Sequence, residues 1–138
     1  MGPLLKDQLC FALYSTSGAI TKAYGELLKP HQLTYPQFVV LMALWQHNGA
    51  SATQLAKVVS LSKATLTPIL KKLELSGFLR RESVPDNDRT KSIVLSKKGQ
   101  DFATQGETIA KLALCATGLS NAEAEQLIGL CNKITANL

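Results

Sequence analysis

Cys10 and Tyr14 stand four residues apart in a stretch with helical periodicity, so a thiol and a phenol share one helix face. A phenol that donates a hydrogen bond to sulfur favours the thiolate, and the thiolate is the form that attacks a peroxide. Oxidised once, such a cysteine becomes a sulfenic acid, which a second thiol can trap as a disulfide. The chain holds two further cysteines, Cys115 and Cys131. Taken singly, these residues also have a plain reading. Free cysteine is among the most buried residue types and packs as a small hydrophobe, which suits Cys131 as core filler. Tyr24 and Tyr35 can be core residues with satisfied hydroxyls. No Cys-x-x-Cys and no Cys/His cluster occurs, which argues against a structural zinc, and neither metal nor cofactor is expected. His31 and His47 fall at a loop and a helix end and read as surface residues.

A second chemistry is carried by charge. From Lys57 to Lys98 ten basic residues face four acidic ones, a net +6, which leaves −1 for the rest of a chain whose formal charge is +5. Positive charge confined to one segment is the footprint of a surface that displaces counterions from phosphates, although charge blocks also serve as plain solvated faces.

The elements that must position these residues follow from periodicity and punctuation. Leu5, Leu9, Leu13, Ile20, Tyr24 and Leu27 or Leu28 recur at helical steps, predicting a long helix that ends before Pro30. Thr34-Tyr35-Pro36-Gln37 and Ser51-Ala52-Thr53-Gln54 each place a hydroxyl three residues before a glutamine, the capping-box arrangement, with Asn48-Gly49 as the break between the two helices. Phe38, Val39, Leu41, Met42 and Trp45 make the first of these helices apolar nearly all round. Ala52 to Val59 then reads as a positioning helix, Ser60-Leu61-Ser62 as a tight turn, and Lys63 to Leu75, closed by Ser76-Gly77, as a recognition helix. Its inward face is expected from Leu66, Ile69, Leu70, Leu73 and Leu75. Pro68 leaves two options, a helix starting at Pro68 with Thr67 as its cap or a kinked helix running through it. Phe78 to Glu82 and Ser92 to Leu95 read as strands joined by the turn-rich Pro85-Asp86-Asn87-Asp88-Arg89, a basic wing. From Ser96 the helical pattern returns with Phe102, Ile109 and Leu112, and a last helix opens at Ser120-Asn121-Ala122-Glu123, carrying Leu127, Ile128, Leu130, Cys131 and Ile134.

The fold class expected is mainly α with a small β-wing, a winged helix-turn-helix whose N- and C-terminal helices form a homodimer interface. At 138 residues one domain is expected, with 1–33 and 97–138 as dimerisation helices and 34–96 as the DNA-binding core. A two-fold dimer sets two recognition helices about one DNA turn apart, roughly 34 Å, on a palindromic site. The longest apolar run, Phe38 to Trp45, falls far short of a bilayer span, and no signal-peptide pattern opens the chain, so a cytoplasmic protein with reduced thiols and no membrane partner is expected.

The run Thr65-Leu66-Thr67-Pro68-Ile69-Leu70-Lys71-Lys72-Leu73-Glu74, followed by a wing ending Arg89 to Leu95-Ser96-Lys97-Lys98-Gly99, resembles the MarR family of dimeric winged-helix repressors. Gln8-Leu9-Cys10-Phe11-Ala12-Leu13-Tyr14, Tyr24-Gly25-Glu26-Leu27-Leu28 and Leu33-Thr34-Tyr35-Pro36-Gln37-Phe38 are similar to its organic-hydroperoxide-sensing OhrR branch. The resemblance implies that Cys10 is the oxidant sensor and that Tyr14, Tyr24 and Tyr35 support it. It also implies a two-cysteine type, with Cys115 in the fifth helix forming a disulfide with the sensor of the other subunit. The chain departs from the pattern at Gly18, at Ser62-Lys63-Ala64 and at Asn87.

These readings converge on a redox-switched repressor: organic hydroperoxide oxidises Cys10, a disulfide to Cys115 forms between subunits, and operator DNA is released. The alternative is a non-redox regulator released by a small phenolic or apolar ligand in the dimer cleft. An enzyme, a cysteine peroxidase, lacks a supporting active-site set and leaves the basic wing without purpose. On double-stranded operator DNA, palindromic and A/T-rich, Ser62, Lys63, Thr65 and Thr67 are expected at base edges, Arg89 in the minor groove, and Lys71, Lys72 and Lys91 on phosphates.

Overall fold

The computed structural model describes the whole chain except Asp86 and the side chains of residues 87–89. In chain order the elements are α1 (Leu9–Leu28), α2 (Tyr35–Gln46), α3 (Ala52–Val59), α4 (Lys63–Leu75), β1 (Leu79–Val84), β2 (Asn87–Leu95), α5 (Lys97–Asp101), α6 (Ala103–Ala116) and α7 (Asn121–Asn137), with short 3-10 turns at Leu5–Asp7 and Lys29–His31. Helices with one antiparallel ribbon in this order are a winged helix-turn-helix, as the sequence predicts. Two compact units form: Leu28–Glu107, and Met1–Leu27 together with Thr108–Leu138. No helix of the described residues is long and apolar enough to cross a membrane.

In the unit Leu28–Glu107 each helix starts where its sequence supplies a cap. Thr34 with Gln37 and Ser51 with Gln54 form reciprocal capping boxes at α2 and α3, and the Ser62 and Ser96 hydroxyls accept the Thr65 and Gly99 amides at α4 and α5. The core comes from Phe38, Val40, Leu41 and Leu44 of α2, Leu55 of α3, Leu66, Leu70 and Leu73 of α4, and Leu79, Ile93 and Leu95 of the ribbon, all buried. Each such side chain removed from water contributes roughly 1.5–3 kcal/mol, so the recognition helix is held by its hydrophobic stripe. Leu75, expected in that stripe, is 80% exposed. Two residues beyond Leu73 is about 200° around a helix, so its position faces away from the stripe.

Helix α4 begins at Lys63 and continues through Pro68, so the option of a start at Pro68 with Thr67 as its cap falls. The Thr67 hydroxyl donates to Lys63 O at 2.8 Å in the turn before it. The helix ends at Gly77, whose φ of +84° favours glycine, with the Phe78 amide reaching back to Leu73 O at 2.9 Å.

Both strands are longer than their apolar runs suggest. Leu79 pairs with Leu95, Arg81 with Ile93 and Ser83 with Lys91, and a bulge lies between Ser83 and Val84. The ribbon is also tied to the α2–α3 connection: Gly49 N donates to Ile93 O at 2.8 Å, Ile93 N to Ala50 O at 2.9 Å, and Leu95 N to the Asn48 side chain at 2.9 Å. Thus Asn48-Gly49 breaks a helix and anchors the wing. The single helix expected from Ser96 divides at Phe102, whose ring packs edge-on to His31 and Phe78 and tilted against Trp45. The Trp45 indole N–H donates to Gly99 O at 2.9 Å.

In the unit of Met1–Leu27 and Thr108–Leu138, α1 and the C-terminal part of α6 carry few buried residues, Ile109 and Ala113 among them, and α7 buries none. Leu9, Phe11, Tyr14, Leu112, Leu127, Ile128 and Leu130 are exposed.

Candidate nucleic-acid interface

Burial of Leu66, Leu70 and Leu73 turns the opposite side of α4 outward, and Ser62, Lys63, Thr65, Thr67, Lys71 and Lys72 are all exposed there. Local hydrogen bonds decide what these groups present. The Ser62 hydroxyl donates to Thr65 Oγ1 at 2.9 Å and accepts the Thr65 amide at 3.1 Å. Thr67 spends its proton on Lys63 O, so it offers a methyl group and an acceptor oxygen. Lys63, Lys71 and Lys72 present ammonium groups on flexible stems.

On the ribbon, Lys91 donates to Ser83 Oγ at 3.0 Å across the strand pair. Arg80 pairs with Glu82 at 2.6 Å in an exposed contact of little energetic weight. Arg89 begins outside what can be described, because its side chain lies outside the described residues, as do those of Asn87 and Asp88 and the whole of Asp86.

One residue that sequence reasoning passed over stands out. Arg81 is half-buried, its backbone amide donates to Glu74 Oε2 at 3.1 Å, and its Nε stands 3.9 Å from the same carboxylate oxygen. Strand alternation was the available signal: Arg81 lies two residues from the buried Leu79, hence on the inward face. With Ser51, Thr53, Lys63, Thr67 and Lys91, it lines a cleft of about 200 Å³.

The thiols lie elsewhere. Cys10 and Cys115 are exposed, near the start of α1 and the end of α6, and Cys131 on α7 is half-buried, less enclosed than core filler would be. Tyr14, one turn after Cys10, is 79% exposed; Tyr24 is half-buried on α1. All five belong to the unit of Met1–Leu27 and Thr108–Leu138, whereas Tyr35, half-buried at the start of α2, belongs to the other. The same thiol-bearing unit contains a mainly apolar cavity of about 460 Å³ lined by Ile20, Ala23, Ala113, Leu119 and Leu127 among others. His47 is exposed as expected, but His31 is half-buried, its ring 5.0 Å from that of Phe102.

Residues 33–91, spanning α2 to the second wing strand, match the MarR family model. An organic hydroperoxide resistance transcriptional regulator of Bacillus subtilis strain 168 is 34% identical over 123 residues, 89% of this chain and 82% of that protein. The chain belongs to the MarR family. As a MarR-type protein it is a DNA-binding transcriptional regulator and not an enzyme. It is also similar to the HTH-type transcriptional regulator TtmR of Methylorubrum extorquens strain PA1, 38% identical over 90% of this chain but only 64% of TtmR. Among solved structures, reduced AbfR bound to DNA superposes with a TM-score of 0.79 at 29% identity, covering 96% of this MarR-type chain and 92% of AbfR; AbfR has also been solved overoxidised on DNA and in a disulfide form.

Proposed function

We propose that this MarR-type regulator is a cytoplasmic, homodimeric repressor that binds double-stranded, palindromic, A/T-rich operator DNA through α4 and the wing and is switched by organic hydroperoxides at Cys10. The observation that carries the reading is the solvent exposure of Cys10 with Tyr14 on the next turn, in a unit separate from the one that bears the basic helix and wing. The redox behaviour of AbfR and the role in the name of the B. subtilis relative support it.

The Cys10 thiolate attacks one peroxide oxygen, the O–O bond breaks, sulfur loses two electrons to give sulfenic acid, and the alkoxide leaves as alcohol after taking a proton. The Cys115 thiol of the other subunit then attacks that sulfur, forming the disulfide and releasing water. Because a disulfide needs Cα atoms within roughly 4.4–6.8 Å, thiols further apart than this require the interface to move, and that movement takes the reading heads out of register with the groove. Tyr14, Tyr24 and Tyr35 support the sensor by hydrogen bonding and enclosure. Ser62, Lys63, Thr65 and Thr67 read base edges, Arg89 enters the minor groove, and Lys71, Lys72 and Lys91 hold phosphates.

The deciding experiment measures DNA release after a pulse of alkyl hydroperoxide. Wild type should dissociate and run as a covalent dimer on a non-reducing gel; Cys10→Ser should stay bound. Release of Cys10→Ser as readily as wild type sinks the sensor assignment. The apolar cavity then favours the second reading, a regulator released by a small phenolic or apolar ligand.

A further inference from the structure

Residues 96–99, the cap and first turn of α5, lie against the end of the recognition helix. A helix leaves its final carbonyls without partners of its own, and something else must meet them. Where α4 turns into β1, three successive carbonyls, those of Ser76, Gly77 and Phe78, are each met from this one segment. The Lys98 ammonium donates to Ser76 O at 2.7 Å, the Ser96 hydroxyl donates to Gly77 O, and the Ser96 amide donates to Phe78 O at 2.9 Å. The Ser96 oxygen also accepts the Gly99 amide at 3.1 Å, so one hydroxyl starts α5 and closes α4. Only glycine lets the segment approach this closely, since a Cβ on Gly99 would overlap Phe78 O.

Lys98 carries the charge in this contact. While it donates to Ser76 O, its Nζ stands 4.4 Å from the centroid of the buried Phe78 ring. The ammonium is thus at the negative end of the α4 dipole and over a π face at once, two favourable places for a cation. Lys98 belongs to the basic segment that the sequence marks for DNA, yet it sits at the opposite end of α4 from the turns proposed to read base edges. The 13-residue helix Lys63–Leu75 is about 18 Å long from first residue to last. Over that length a tilt of about 5° at the held end displaces the reading end by about 1.5 Å.

We propose that Lys98 is a positioning residue for DNA recognition: it fixes the end of α4, and with it the angle at which the helix enters the groove, while touching no phosphate. This rests on the reading of α4 as the helix that enters DNA. It also takes one of the ten basic residues between Lys57 and Lys98 out of the phosphate-binding set.

The test compares wild type with Lys98→Met, Lys98→Arg and Lys72→Ala on two duplexes, one selected by wild type from a random library and one of random sequence, over a range of salt. Hydrogen exchange of the Gly77 and Phe78 amides, which close the end of α4 on Glu74 O and Leu73 O, is measured on the free proteins. Lys98→Met should bind the selected duplex roughly fivefold more weakly and the random one almost as wild type, because the loss is of helix placement. Its slope of log affinity against log salt should stay that of wild type, whereas Lys72→Ala should flatten the slope by about 0.9 and weaken both duplexes alike. Lys98→Arg should restore binding, since a guanidinium also donates to a carbonyl and stacks on a ring. Exchange at Gly77 and Phe78 should quicken in Lys98→Met and return to the wild-type rate in Lys98→Arg. A slope flattened by about 0.9 in Lys98→Met would make Lys98 a phosphate contact and overturn the proposal. Selected-duplex affinity equal to wild type would overturn it too, even in a variant that melts lower. Exchange needs no DNA, so the two readings fail separately: wild type that binds neither duplex removes the DNA-entering role of α4, and unchanged exchange in Lys98→Met removes the hold on its end.

Discussion

Cys10 gains its interest from what surrounds it in sequence and from where α1 leaves it. Exposed on the second residue of the helix, with the Tyr14 phenol one turn on, it is open to a peroxide. Cys115→Ser should therefore still form sulfenate, detected by dimedone labelling, while failing to form the covalent dimer and releasing DNA only weakly or reversibly. Tyr24→Phe and Tyr35→Phe should slow sensing and leave DNA binding of the reduced protein unchanged, which stopped-flow oxidation and a gel shift would separate. On the DNA side, Arg89→Ala should cost more affinity than Lys91→Ala. A wing-tip guanidinium in a narrow minor groove meets a stronger negative potential than an ammonium on a phosphate. Equal affinities at moderate salt would remove Arg89 from the groove.

At the scale of elements, the attachment of the wing is the feature with most consequence. Trp45 holds Gly99 O, and Gly106 lies flat against the Trp45 ring, where an added Cβ would overlap ring carbons. Gly106→Ala should destabilise the protein by about 1–3 kcal/mol, the usual range for overpacking a filled site. Because Trp45 is the only tryptophan of the chain, its fluorescence reports the loss directly in a denaturant titration. Helix α7 offers a milder test. The Ser120 amide and hydroxyl hold the Glu123 carboxyl below its ordinary pKa. A depressed folded value means stability that is present above the unfolded pKa and lost as pH falls through the folded one. The Tm advantage of wild type over Glu123→Gln should therefore be present at neutral pH and vanish in acid. An advantage that persists at low pH would show that the cap acts through shape and not charge.

At the scale of the whole molecule, α7 without a buried residue and the exposed Leu9, Phe11, Leu112, Ile128 and Leu130 form more apolar surface than a lone chain needs. We assign that surface to a second copy of the chain. Ile128→Asp should shift the protein to monomer in light scattering. It should also weaken operator binding far more than non-specific binding, because half-site spacing depends on the dimer.

Much of this was legible in the residues. Capping boxes at Thr34, Ser51 and Ser120, the leucine stripe of α4 and the Ser76-Gly77 stop are local: each follows from a hydroxyl, an apolar period or a glycine within one or two helical turns, so the sequence alone set where these helices start or stop, though not the division of the helix after Ser96 at Phe102. The basic segment and the Cys10–Tyr14 spacing were legible for the same reason. What the tertiary structure decided depends on residues distant in the chain. Asn48 and Gly49 reach β2, Trp45 reaches Gly99 across 54 residues, and Ser51, Lys63 and Arg81 come to one cleft only because α3, α4 and the ribbon pack together. Pro68 was undecidable locally, since its missing amide argues for a break, while burial of Leu66 on one side and Leu70 on the other carries the helix through. Local propensity writes elements into sequence; burial and long-range hydrogen bonds, which no short window contains, decide which side chains meet.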